Sequence, residues 1–136
     1  WATCQSLLKK AIGGYQTEKE AAAASVPGRK QPDVIWLLPD GQRVAVEVEL
    51  TSKWDRVFDQ FILACIDSLT RHDGRARFDR LAFITDSPAI LKRYKAAFSP
   101  GAQFGRWQKD QYGRWQQAGS CEVPAWMGGK VIWRLL

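Results

Sequence analysis

Residues 34–50 constrain the fold of this chain more than any other stretch. Val34 to Leu38 is an apolar run that opens on two β-branched residues, Pro39-Asp40-Gly41 is turn chemistry, and Arg43 to Leu50 alternates. Proline at the first loop position and glycine at the last match a three-residue hairpin loop. Proline pre-sets the φ of a type I turn, and glycine takes the left-handed conformation that follows it. Strand side chains alternate, so Val44, Val46, Val48 and Leu50 share one face and Ala45, Glu47, Glu49 and Thr51 the other. With that loop, Leu38 lies opposite Gln42, and the pairing carried outward sets Asp33 opposite Glu47. Opposed residues share a face, so Asp33, Glu47 and Glu49 converge with roughly 5–8 Å between their side-chain bases.

The rest of the chain supplies the partners such a hairpin needs. Leu7, Leu8, Ala11 and Ile12 have helical spacing, and Thr17 to Ala24 is rich in strong helix formers. A helix is therefore expected over about Cys4 to Ala24, interrupted at Gly13-Gly14, with a loop over Val26 to Pro32. After the hairpin, Ser52 is placed to cap a helix with Asp55 in a box-like position. Its buried stripe is read as Val57, Phe58, Phe61, Ile62, Cys65, Ile66 and Leu69. His72 to Asp79 reads as a polar loop, Leu81 to Thr85 as a short buried strand, and Pro88 to Phe98 as an amphipathic helix with Lys92, Arg93 and Lys95 outward. Gln103 to Gln108 and Gly113 to Gln117 suit a hairpin, and Val131 to Leu135 a last strand. The expected fold class is α/β, a mixed sheet flanked by helices.

The carboxylate cluster carries the chemistry. Like charges this close disfavour joint ionisation, so one pKa rises or a cation enters. Carboxylate oxygens are hard ligands that suit Mg²⁺ or Mn²⁺. A metal there would polarise a phosphodiester, acidify a water and neutralise developing charge. The competing reading is a half-exposed strand with acids on its wet face. Against it, Asp and Glu are poor strand formers and here interrupt a Val-rich stretch.

Composition narrows the classes. The 136 residues suit one domain, 1–136, and no apolar run approaches the ~18 residues of a membrane span. No signal peptide opens the chain. It begins at Trp1 rather than Met, which points to a domain cut from a longer protein. Cys4, Cys65 and Cys121 are odd in number and widely spaced, with only His72 beside them, so they read as reduced thiols in a cytoplasmic protein. Net charge is +6: residues 1–86 hold 12 Lys and Arg against 12 Asp and Glu, and residues 87–136 hold 8 against 2. The basic half suits a polyanion, with a solvated basic face as the alternative.

Pro32-Asp33, a hairpin, and Glu47-Val48-Glu49 resemble the signature of the PD-(D/E)XK nuclease superfamily, with similar element order from about Thr17 to Thr85. More narrowly, Val44 to Lys53 (V-A-V-E-V-E-L-T-S-K) is similar to plasmid replication-relaxation and MobC-type relaxase families. The resemblance implies a restriction-endonuclease-like mixed sheet: helix, antiparallel hairpin or meander, helix, strand, helix, C-terminal strands. It further implies an upstream DNA-binding region and a metal-dependent DNA nickase serving plasmid mobilisation or conjugative transfer, with DNA and other relaxosome proteins as partners. Asp33, Glu47 and Glu49 then become the metal ligands, Glu49 standing where the superfamily usually has lysine. Lys53 is the stand-in for that lysine, or else a surface residue at a helix start. Glu18 resembles the first-helix glutamate that many such nucleases add, with Glu20 competing and a solvated helix acid as the alternative. A junction resolvase or another structure-specific nuclease, and a non-catalytic DNA-binding module of the same fold, are the rival functions.

Gln60 is a weak candidate for reaching the site from the second helix, and His72 is assigned no catalysis. Tyr15, Tyr94 and Tyr112 lie away from the hairpin in sequence, so a tyrosyl nucleophile has no particular support. Gly-Arg-Trp-Gln occurs at Gly105 and again at Gly113. Arginine beside an exposed aromatic suits phosphate contact and base stacking, which makes Arg106, Lys109 and Arg114 the candidates for DNA backbone contacts.

Overall fold

The computed structural model describes residues 15–17, 32–72 and 75–136. Strands β1 (Tyr15–Thr17), β2 (Val34–Leu37) and β3 (Arg43–Val48) form an antiparallel meander. Helix α1 (Asp55–Leu69) follows, then a two-residue ladder of β4 (Arg71–His72) with β5 (Arg75–Ala76). Strand β6 (Arg80–Thr85), helix α2 (Pro88–Ala97), the hairpin β7 (Gln103–Lys109) and β8 (Trp115–Glu122), a 3₁₀ turn (Ala125–Gly129) and β9 (Val131–Leu135) complete the chain. The main sheet has the order β1-β2-β3-β6-β9, with β3, β6 and β9 mutually parallel. This is a mixed α/β fold.

The hairpin register is the expected one. Leu38 N–H donates to the Gln42 carbonyl and Gly41 N–H to the Leu38 carbonyl, both at 2.9 Å, which closes the Pro39-Asp40-Gly41 loop. Gly41 has φ +89°, the left-handed conformation that glycine adopts without a Cβ penalty. Val34 pairs with Val46, Ile35 with Ala45 and Trp36 with Val44.

Both faces of β3 are buried. Ile35, Ala45, Leu81 and Phe83 pack beneath Phe58, Phe61 and Ile62 of α1 and Ile90 and Tyr94 of α2. Val34, Val44, Val46, Ala82 and Ile84 form a second buried cluster on the opposite face. Phe83 centres an aromatic group in the first, with Phe98 at 4.9 Å and a stacked Trp133 at 4.9 Å between ring centroids.

Several expectations change. Tyr15–Thr17 is a strand paired to β2, where a helix was expected, because tertiary pairing with an apolar strand outweighs weak local helix propensity. The remainder of that expected helix, with Glu18 and Glu20, lies outside the described residues. Helix α1 starts three residues after Ser52, with Trp54 as N-cap and no side-chain cap. Tertiary bonds hold the preceding segment extended: Lys53 N–H donates to the Tyr94 hydroxyl at 3.0 Å, and Arg93 donates to the Lys53 carbonyl at 2.6 Å. The stripe facing the sheet is Phe58, Phe61, Ile62, Cys65, Ile66 and Leu69, which leaves Val57 on the exposed flank. In α2, capped by Ser87 Oγ on Ile90 N–H, Lys92 and Lys95 point outward. Arg93 instead folds back over Trp54 and Phe58.

The β7–β8 hairpin packs on α1, with Phe104 in the same core cluster as Phe58 and Phe61. Trp107 Nε1 donates to Asp59 Oδ2 at 2.8 Å, directly over Gly105. A Cβ at Gly105 would meet that oxygen at 2.7 Å and the indole nitrogen at 2.9 Å. Gly105→Ala is therefore expected to destabilise the fold by about 1–3 kcal/mol, the usual range for overpacking. Chemical denaturation checks this, and a variant as stable as the parent would show that the hairpin is loosely seated.

Among the described residues no helix is long and apolar enough to cross a membrane, and Cys65 and Cys121 are free thiols.

Candidate active site at the end of the central hairpin

Asp33 lies one step beyond the last bonded pair of β2 and β3, at the position opposite Glu47. Its Oδ2 accepts from Val48 N–H at 2.9 Å, which pins the start of β2 to the end of β3. Glu47 neighbours Phe83 across the parallel pair, and Glu49 N–H continues that pairing by donating to the Ile84 carbonyl at 2.9 Å. Glu47 is 5% exposed and Glu49 3%. The wet-face reading of these acids therefore fails: they lie on the helix-covered face of the sheet.

Buried carboxylates need partners. For Glu49 these are Lys53 and Tyr94. Lys53 Nζ reaches Oε1 at 2.6 Å and Oε2 at 2.8 Å, and the Tyr94 hydroxyl donates to Oε2 at 3.1 Å. The same hydroxyl accepts from Lys53 N–H, so Tyr94 holds Lys53 at its backbone and Glu49 holds it at its head. The Lys53 ammonium also lies over Phe61, with Nζ 4.3 Å from the ring centroid. Lys53 thus reaches back toward the carboxylates, as its place at the mouth of the helix suggested.

Burial pushes the Tyr94 hydroxyl up to about 12, helped by the neighbouring Glu49 charge and opposed by the Lys53 amide bond. The unfolded phenol ionises near 10. The folded state therefore keeps its proton longer, and the stabilisation, up to about 3 kcal/mol, is complete below pH 10 and lost as pH rises through 12. Thermal melts between these values are expected to fall more steeply for wild type than for Tyr94→Phe. Parallel curves would remove Tyr94 from this account.

No family model, curated protein or solved structure matches the chain.

Among the described residues no three His, Cys, Asp or Glu side chains are grouped to hold a metal ion. The carboxylate oxygens of Glu49 are both engaged by Lys53, while Asp33 and Glu47 supply carboxylates at opposed strand positions. Two carboxylates completed by waters and substrate phosphate are a usual Mg²⁺ donor set, so the residues present fit such an ion as a two-carboxylate site.

The other candidates fall elsewhere. Gln60 accepts from Arg56 at 2.8 Å, and that arginine in turn lies against Trp115 of β8. Buried Tyr94 is not placed as an attacking group, and Tyr112 is exposed in the β7–β8 turn. The side chains of Tyr15 and His72, like Glu18, lie outside the described residues. Arg106, Lys109 and Arg114 are exposed on the β7–β8 hairpin: Arg106 donates to the Ala118 carbonyl at 2.9 Å, Lys109 lies 5.2 Å from the Trp115 ring and Arg114 5.4 Å from Tyr112. Sequence reasoning missed Tyr94 as a partner of Glu49 and Arg93 as the clasp on Lys53. The one available signal was that Tyr94 falls one helical turn after Ile90, on the buried stripe, where a phenol oxygen needs a polar partner.

Proposed function

We propose that this chain is a divalent-metal-dependent DNA endonuclease domain with a restriction-endonuclease-like core. The observation that carries the reading is the Asp33–Glu47 pair on the covered face at the carboxyl end of β3, with Lys53 folded back beside it onto Glu49. An antiparallel meander followed by a helix and a parallel strand supports the fold assignment, and the resemblance of Val44 to Lys53 supports a relaxase-like nickase acting on plasmid DNA in the cytoplasm.

Asp33 and Glu47 would hold Mg²⁺ or Mn²⁺, which supplies charge to stabilise a phosphodiester under attack and acidifies a water. Glu49 is assigned a positioning role: with Tyr94 it aims the Lys53 ammonium group. That group then meets the phosphate as a fixed positive charge in a partly dry setting, where preorganised charge acts most strongly.

A second reading is favoured by the saturated Glu49–Lys53 pair: a DNA-binding module that keeps the fold without catalysis. Supercoiled plasmid separates the two. The nuclease converts it to open circles with Mg²⁺ or Mn²⁺ and not with EDTA, and Asp33→Asn abolishes conversion while DNA binding persists. Binding with no metal-dependent nicking by the wild type would favour the module.

A further inference from the structure

Three exposed aromatic side chains, one at the N-cap of α1 and two at the turn end of the β7–β8 hairpin, are each backed by a cation. Trp54 is 61% exposed and has the Arg93 guanidinium 3.9 Å from its ring centroid. Arg93 also lies 4.2 Å from the Phe58 ring and donates to the Lys53 carbonyl, which fixes it between an inner and an outer ring. Trp115 is 41% exposed, with Arg56 at 4.5 Å and Lys109 at 5.2 Å. Tyr112 is 71% exposed, with Arg114 at 5.4 Å. Arg56, two residues after Trp54 in the chain, reaches from the helix to Trp115 on β8. Trp54 also follows Lys53 directly, so the strip begins at the candidate active site.

The charge of the strip selects its occupant. Asp59 is committed to the Trp107 indole, and Asp110 accepts from the amides of its own turn. Asp55 is the exposed acid beside the cations. A polyanion without flat rings would have no use for the aromatics, and an apolar protein segment no use for the cations. An unpaired polynucleotide uses both, stacking bases on rings while its phosphates meet Arg and Lys. A duplex hides the base faces that the rings would engage.

We infer that this strip binds single-stranded DNA, with bases stacked on Trp54, Trp115 and Tyr112 and phosphates at Arg56, Arg93 and Lys109. The inference deepens the nuclease reading, on which it rests for the choice of DNA, by naming an unpaired strand as what approaches the carboxylates.

Fluorescence anisotropy in EDTA, using a short labelled oligothymidylate, an abasic phosphodiester chain of equal length and a duplex, tests it. The oligothymidylate is expected to bind at least about tenfold more tightly than either control, as base stacking on aromatics implies. Trp54→Ala and Trp115→Ala are each expected to weaken it about five- to a hundredfold without changing the salt dependence. Arg56→Gln is expected to lower the slope of log affinity against log salt by about one. Trp54→Phe, which keeps a stacking ring, is expected to retain most of the affinity, and melting curves confirm that the variants are folded. Equal binding of the abasic chain or duplex, tighter binding of the matching oligoribonucleotide, or indifference to both Trp→Ala changes would overturn the proposal. Because no divalent cation is present, the outcome is separable from nicking. Strand binding without nicking keeps this inference and sinks the nuclease reading, and nicking without preference for unpaired DNA does the reverse.

Discussion

Asp33→Asn and Glu47→Gln are each expected to lower the proposed metal-dependent plasmid nicking by about a thousandfold or more, and Glu49→Gln only about ten- to a hundredfold. The first figure follows from losing a cation that contributes several kcal/mol to transition-state stabilisation, at about 1.4 kcal/mol per factor of ten. The second is the usual cost of disturbing a group that orients another. The asymmetry comes from geometry: Lys53 spans both oxygens of Glu49, while Asp33 and Glu47 occupy opposed positions one alternation away. Asparagine is the useful replacement for Asp33 because it keeps an oxygen for Val48 N–H and removes only the charge. Equal losses in all three variants would show that Glu49 is itself a ligand and that its pairing with Lys53 opens during the reaction.

Lys53→Met is expected to cost about 3 kcal/mol of folding stability, the lower end of the range for breaking a buried ion pair. The lower end applies because Lys53 is 33% exposed while Glu49 is 3% exposed, so water already offsets part of the ammonium's burial. Methionine keeps most of the side chain's length and volume, so the loss reports the removed ammonium and the stranded Glu49 carboxylate rather than a cavity. Adding Glu49→Gln to Lys53→Met is expected to recover half or more of the loss, since a neutral amide is cheaper to bury than an unpaired charge. Urea unfolding of the two single variants and the double variant measures the coupling. Additive losses would mean that the pair contributes nothing beyond its separate side chains.

Local chemistry made the hairpin legible. Pro39-Asp40-Gly41 sets the loop, the loop sets the register, and period-two alternation puts Asp33 and Glu47 at opposed positions. Leu81 to Thr85, Pro88 to Phe98 and Val131 to Leu135 were legible for similar reasons, each a patterned run with a clear stop. What escaped was tertiary in origin. Nothing near Ser52 announces that Tyr94 and Arg93, some forty residues on, hold the segment extended and delay α1 to Asp55. Tyr15–Thr17 is a strand only because β2 is there to pair with it. The wet-face alternative for Glu47 and Glu49 also survived at the level of sequence. Alternation separates the two faces of a strand, but it does not reveal that both are covered, as the clusters on either side of β3 show.

The most direct test of the central claim is calorimetric titration of Mn²⁺ into the wild type and into Asp33→Asn, Glu47→Gln and Glu49→Gln, with and without a short DNA oligonucleotide. The account predicts saturable binding in the wild type that is lost with Asp33→Asn and with Glu47→Gln and retained with Glu49→Gln. Binding that survives both of the first two changes, or no binding by the wild type even with DNA present, would contradict it.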